Sequence, residues 1–232
     1  AGGRGVAPPP HHPAVLLKLE SSGIPSELLV RLRKQLRRTH GMILVTGPTG
    51  SGKTTTLYGA LSELNEPAKK IITAEDPVEY RLPRVNQVQV NPKINLDFST
   101  ILRTFLRQDP DIILIGEMRD QETVEIGLRA ALTGHLVLST LHTNDAVDSA
   151  LRMMDMGAPG YLVASAVRAV VAQRLVRKVC TDCKVDDELD EARKQWLSVR
   201  FPNQVDVPFM KGRGCQHRSL IPIRSCRRAH KG

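Results

Sequence analysis

Gly47 to Thr54 reads GPTGSGKT, the spacing G-x-x-x-x-G-K-[ST]. Each residue type has a use if the partner is a phosphate chain. Gly47, Gly50 and Gly52 let backbone N–H groups turn inward around an anion, and Pro48, Thr49 and Ser51 complete the loop between them. Lys53 has the reach for β- and γ-phosphates, and the Thr54 hydroxyl can ligate Mg²⁺. Thr54 and Thr55 open a helix whose N-terminus adds partial positive charge at the same point. The expected cofactors are therefore ATP and Mg²⁺.

Three further segments end apolar runs with polar residues. Glu117 follows Ile112 to Ile115 and Gly116, so its carboxylate can orient an attacking water or hold Mg²⁺; we favour the water. A structural salt bridge is the competing use. Glu75 and Asp76 close the run Lys70 to Ala74, and adjacent carboxylates at a strand end can bind Mg²⁺ through water. His135 and His142 bracket a third run, Leu136 to Leu141. Their imidazoles could contact the γ-phosphate and report its loss.

The elements that must hold these residues alternate. Ser26 to Arg38 has the spacing of a polar helix. Met42 to Val45, Lys70 to Glu75, Asp111 to Glu117 and His135 to His142 read as strands, and Val85 to Val90 alternates like an edge strand. Helix faces are marked by Ile101, Leu102, Phe105 and Leu106, and by Val124, Leu128 and Ala131. Helices are predicted over Ala146–Met156 and Tyr161–Arg177. The fold class is α/β, a mostly parallel sheet with helices on both faces, and ligands then sit at the carboxyl ends of the strands.

The chain has 232 residues and a net charge of +9. Basicity of that size suggests nucleic acid, but its distribution argues otherwise. Residues 211–232 hold seven Lys or Arg and no acid, leaving +2 for the rest of the chain. No nucleic-acid partner is expected. The cluster Arg31 to Arg38 is read as a solvated helix face. No apolar run approaches the ~20 residues of a membrane span, and the N-terminus lacks the apolar core of a secretory signal. A cytoplasmic location is expected.

In order, GPTGSGKTTTLYGALSELN, ITAEDPVEY, LRQDPDIILIGEMRD and TGHLVLSTLHTNDA resemble the four motifs of the secretion-superfamily ATPases that power type IV pili and type II secretion. VVAQRLVRKVC at Val170–Cys180 is also similar. The likeness covers about residues 15–215, and the stretch from Gly116 to Val147 most resembles the MSHA-type pilus assembly ATPases. The resemblance implies a RecA-like P-loop core acting as a hexamer, peripheral at the inner membrane on a platform protein. It implies roles in ATP hydrolysis for Glu75 and Glu117, with His135 and His142 lining the site. The family's N-terminal domain, which lends arginines to a neighbouring nucleotide, is expected to complete catalysis. The C-x-x-C pair favours assembly or secretion over retraction.

That pair, Cys180 and Cys183, belongs in the family to a zinc module of two such pairs. Here Cys215 is a third candidate ligand, and Arg218 stands where the fourth cysteine is expected. Zn²⁺ is thus an open cofactor. The organisation we expect is a disordered or linker segment at 1–13, the ATPase domain at 14–178, and a partial cysteine module in a small helical C-terminal region at 179–217. The basic tail at 218–232 is read as out of frame, because codons compatible with Arg224–His230, shifted by one base, give Gly-Arg-Val-Ala-Val-His. Two other functions compete: a hexameric nucleic-acid translocase, marked by DNA-stimulated turnover, and an inactive nucleotide-binding fragment, marked by failure to assemble.

Overall fold

The computed structural model describes residues 18–201, 209–213 and 227–229. The segment expected to be a linker, and most of the tail, lie outside them. The chain divides into two compact units, one ending at Arg174 and the other starting at Leu175.

The first unit is built on a six-stranded parallel sheet. Its strands are β1 (Gly41–Thr46), β2 (Ile71–Glu75), β3 (Val85–Gln89), β4 (Ile112–Ile115), β5 (Leu136–Leu141) and β6 (Val167–Ala172), in the spatial order β3-β2-β4-β5-β1-β6. Every pairing is parallel. The inner strands β1, β2, β4 and β5 are buried along their whole length. That is why they read as continuous apolar runs rather than alternations.

The pleat sends alternate residues of each strand to opposite cores. Met42, Leu44, Ile113, Ile115 and Val137 pack on one face with α3 (Phe98–Phe105), α4 (Gln121–Leu132) and α6 (Gly160–Ala166). Ile43, Val45, Ile112, Leu114, Leu136 and Leu138 pack on the other with α1 (Ser26–Leu36) and α2 (Lys53–Leu64). Helix α5 (Ala146–Asp155) adds Met153 to the first core. Asp97, Asp120 and Asp145 cap α3, α4 and α5 by accepting the N–H of Thr100, Thr123 and Asp148 at 2.8 Å each. A cap of this kind is worth about 1 kcal/mol.

The basic cluster on α1 has a split role. Leu29, Leu32 and Leu36 face the core, while Arg33 forks onto Glu63 of α2 at 2.6 and 2.9 Å and also pairs with Glu20. These pairs hold its guanidinium pKa above the ordinary value. Leu106, expected on the buried face of α3, lies past its end and is exposed.

One expected element changes type. The predicted helix Tyr161–Arg177 is α6 for seven residues and then strand β6. Val167, Val170 and Val171 are β-branched, and β6 gains a parallel ladder beside β1, with one register shift between Met42 and Ile43.

The second unit has α7 (Glu191–Arg200) and two small antiparallel sheets. β7 (Arg177–Val179) pairs with β10 (Arg227–Ala229), and β8 (Lys184–Asp186) with β9 (Met210–Gly212). The small helical region expected there is therefore mixed rather than helical. Among the described residues, no helix is long and apolar enough to cross a membrane.

Candidate functional site

The carboxyl end of β1 runs straight into the loop Gly47–Gly52, and α2 begins at Lys53. Gly50 and Gly52 take φ of 77° and 87°, the left-handed region that glycine enters freely. Gly47, at φ 147°, is required twice over. A Cβ there would sit 2.3 Å from the Gln173 carbonyl oxygen and 2.6 Å from Ser51 Oγ. The N-cap of α2 is Gly52, so no side chain caps the helix. Its first-turn N–H groups are left for an anion.

Lys53 is buried, and its ammonium donates to the carbonyl oxygens of Gly47 at 3.0 Å and Pro48 at 3.1 Å. Burial lowers its pKa, and the carboxylate of Glu117 opposes that shift. The loop and the end of β4 thus share one electrostatic neighbourhood. Pro48, Thr49, Thr54 and Thr55 occupy the loop and the first helical turn as the motif requires. These residues fit a polyphosphate, with Thr54 the candidate Mg²⁺ ligand.

Glu117 lies just past β4, where Gly116 is pressed against the end of β2. The Gly116 N–H donates to the Ala74 carbonyl at 2.7 Å, and a Cβ on Gly116 would lie 3.1 Å from that same oxygen. The Glu117 side chain is one-fifth exposed. It accepts from Arg119 Nε at 2.6 Å and stands 3.3 Å from His142 Nε2. Arg119 also reaches Asp76 at 3.2 Å, and these two carboxylates, Glu117 first, raise its pKa. Sequence reasoning had passed over Arg119. Its only signal was its place two residues beyond the candidate carboxylate.

Glu75 is 3% exposed and faces inward. Its carboxylate accepts from Tyr58 Oη, Thr73 Oγ1 and, at 3.1 Å, Gln87 Nε2. Burial and this carboxylate push the Tyr58 pKa well above its ordinary value. To meet a nucleotide, Glu75 would have to exchange those partners for it.

The two histidines part company. His142 follows the carboxyl end of β5, beside Glu117. His135 precedes the amino end of the same strand, and the six residues between them span roughly 20 Å at ~3.3 Å per residue. His135 Nδ1 lies 3.0 Å from the carbonyl of Ala130, which can only accept, so the imidazole caps the end of α4. Of the two imidazoles expected at the γ-phosphate, the structure brings His142 to the phosphate-loop end of the sheet and leaves His135 at the other, because in a parallel sheet the amino end of a strand lies away from that loop.

Gln173, one residue past β6, was also missed. Its side chain donates to the Ser51 carbonyl at 2.6 Å and accepts from Thr56 Oγ1 at 2.8 Å. Arg174 then donates to Asn144 at 2.9 and 3.0 Å.

No group of three or more His, Cys, Asp or Glu among the described residues could hold a metal ion. Cys180 is buried next to the turn carrying Cys183, and Cys215 lies outside the described residues. Zinc therefore has no site among the described residues, and the chemistry of the phosphate loop does not call on it.

The chain can be set against known proteins on this basis. The family model described as "Type II/IV secretion system protein" matches residues 11–229, a span that takes in most of the tail. Type II secretion system protein HxcR of Pseudomonas aeruginosa is 55% identical over 216 residues, 93% of this chain and 45% of HxcR. The type IV pilus assembly ATPase PilB of Myxococcus xanthus is 55% identical over 168 residues, 72% of this chain and 30% of PilB. Among solved structures, the pilus retraction motor PilT with bound ADP superposes with a TM-score of 0.64 at 40% identity, covering 71% of this chain and 50% of PilT. The chain thus spans less than half the length of these curated relatives. A match over nearly the whole chain, on a parallel sheet that carries the phosphate loop and Glu117 at the same end, leads to one conclusion: the chain belongs to the type II/IV secretion system protein family.

Proposed function

We propose that this chain is the nucleotide-hydrolysing core of a motor ATPase that drives type IV pilus assembly or type II secretion. The observation that carries the reading is geometric: the phosphate loop with Lys53 leaves the carboxyl end of β1 and Glu117 leaves the carboxyl end of β4, at the same end of one parallel sheet. Phosphate binding and water activation then fall within one site.

In this reading Lys53 leaves the loop carbonyls for the β- and γ-phosphates. The N–H groups of the loop and of the first turn of α2 bind the anion. Thr54 would hold Mg²⁺, which would supply charge neutralisation for the phosphates. Glu117 orients the attacking water and accepts its proton, while Arg119 and His142 fix the carboxylate from two sides. Glu75 is the second carboxylate, reached only after it exchanges Tyr58, Thr73 and Gln87.

Relatives at 55% identity include both a type II secretion protein and a pilus assembly ATPase. The likeness of Gly116 to Val147 to MSHA-type ATPases favours pilus assembly. We take the working form to be a hexamer on an inner-membrane platform protein, on the cytoplasmic side, without nucleic acid.

The test is phosphate release from Mg-ATP, together with particle size with and without nucleotide. The reading expects turnover that is lost in Lys53→Ala, and nucleotide-dependent assembly. Turnover undiminished in that variant removes the phosphate loop from the mechanism.

A further inference from the structure

We infer that Gln173 is a positioning residue that holds the phosphate loop in its anion-ready shape from outside the motif. The inference rests on the nucleotide site proposed above and adds to it a residue that strand β6 delivers.

One residue touches the loop at its entry, its crest and its exit. At the entry, the Gln173 N–H donates to the Thr46 carbonyl at 2.8 Å, continuing the β1–β6 ladder past the last strand residue. Its own carbonyl lies where a side chain on Gly47 would be, at 2.3 Å from the position of a Cβ. At the crest, Nε2 donates to the Ser51 carbonyl at 2.6 Å. At the exit, Oε1 accepts from Thr56 Oγ1 on α2 at 2.8 Å, and Thr56 is buried.

The amide can take only one orientation. A carbonyl oxygen accepts and never donates, so Nε2 must face Ser51. Oε1 is thereby turned to Thr56, whose hydroxyl supplies the proton. A flipped amide would set oxygen against oxygen at 2.6 Å.

The consequence for the site comes from the planarity of the peptide bond. In a trans peptide the C=O and the next N–H point in opposite directions. Drawing the Ser51 carbonyl toward Gln173 therefore aims the Gly52 N–H the other way, away from Gln173. Gly52 is left-handed at φ 87° and begins the uncapped turn of α2. Gln173 thus sets the direction of a donor that a phosphate needs, without touching the phosphate. Lys53 and the glycines supply the chemistry, and Gln173 supplies the aim.

The experiment measures the affinity of the whole chain for Mg-ADP well below its melting temperature, alongside thermal melting without nucleotide. Gln173→Glu keeps the acceptor for Thr56 but sets a carboxylate against the Ser51 carbonyl; its affinity should fall about tenfold or more. Gln173→Ala should fall roughly three- to tenfold, the worth of about one hydrogen bond. Thr56→Val, which frees Oε1, should weaken binding about threefold, and Thr56→Ser should restore it. A merely structural role would lower the melting temperature but leave the folded fraction binding with wild-type affinity, and that result overturns the inference. If the Gln173 variants do not fold, the Thr56 pair decides, and Thr56→Val binding like wild type overturns it. A wild-type chain that binds no Mg-ADP overturns the nucleotide site and this inference with it. Wild-type binding that Lys53→Ala abolishes and Gln173→Glu leaves unchanged overturns this inference alone.

Discussion

The two ends of strand β5 carry the same residue type in opposite circumstances. At the amino end, His135 caps α4 through the Ala130 carbonyl. Nearby, at the amino ends of β2 and β4, the N–H of Lys70 donates to Asp111 at 2.7 Å. Polar groups at this end of the sheet close off backbone. At the carboxyl end, His142, Arg119, Asp76 and Glu117 bind one another as side chains, with Arg119 and His142 about half exposed. Such pairs are weak as stabilisers because water screens them, so their arrangement is better explained by what they can hold. On the function proposed above, the sheet has one structural end and one chemical end. Strand direction, rather than residue type, decides which histidine belongs to which.

The largest expected effect lies at the chemical end. Lys53→Ala should abolish Mg-ATP turnover and sharply weaken nucleotide binding, because no other ammonium is bonded to the loop carbonyls among the described residues. The fold should survive, since Lys53 bonds only to the loop itself. A variant that turns over normally breaks the contrast between the two ends.

Glu117→Gln comes next. The amide keeps the size of the carboxylate and can still meet Arg119, but it cannot take a proton. Turnover should fall ~10²–10⁴-fold with nucleotide binding retained. Loss of Mg-ATP binding instead would make Glu117 mainly a metal-shell residue and shift the chemistry elsewhere in the site.

What the sequence displayed and what it hid divide along physical lines. The loop, its flanking strand and helix, and Glu117 were legible because their chemistry is contiguous in the chain. Strands β1, β2, β4 and β5 were legible because burial on both faces requires unbroken apolar runs. Strand β6 was not: Leu162 to Val171 suits a helix or a strand by hydrophobicity, and only pairing beside β1 decides. Gln173 acts through Ser51, 122 positions away, so no local spacing marks it; Arg119 lies two residues beyond Glu117, but its second partner, Asp76, is 43 positions away. His135 sits away from the phosphate loop, a placement that the expected parallel sheet already implies. A residue that precedes a strand of such a sheet stands at the end where ligands do not bind.

The smallest effects give the sharpest comparison, because they set His142→Ala against His135→Ala on one strand. His142 stands 3.3 Å from the carboxylate that the proposed mechanism uses. Removing it should cost turnover ~10–100-fold, the worth of one hydrogen bond to a charged group felt in the transition state. Because the imidazole is about half exposed, melting without nucleotide should barely move. His135→Ala removes a neutral hydrogen bond at a half-buried helix end. It should cost about 1 kcal/mol of stability, lowering the melting temperature by roughly 2–4 °C for a chain of this size. Turnover per folded molecule should stay at the wild-type level. Melting curves and phosphate release on the two purified variants, read side by side, carry the test. If His135→Ala slows turnover as much as His142→Ala while melting normally, the amino end of the sheet takes part in the chemistry, and the division drawn from strand direction fails.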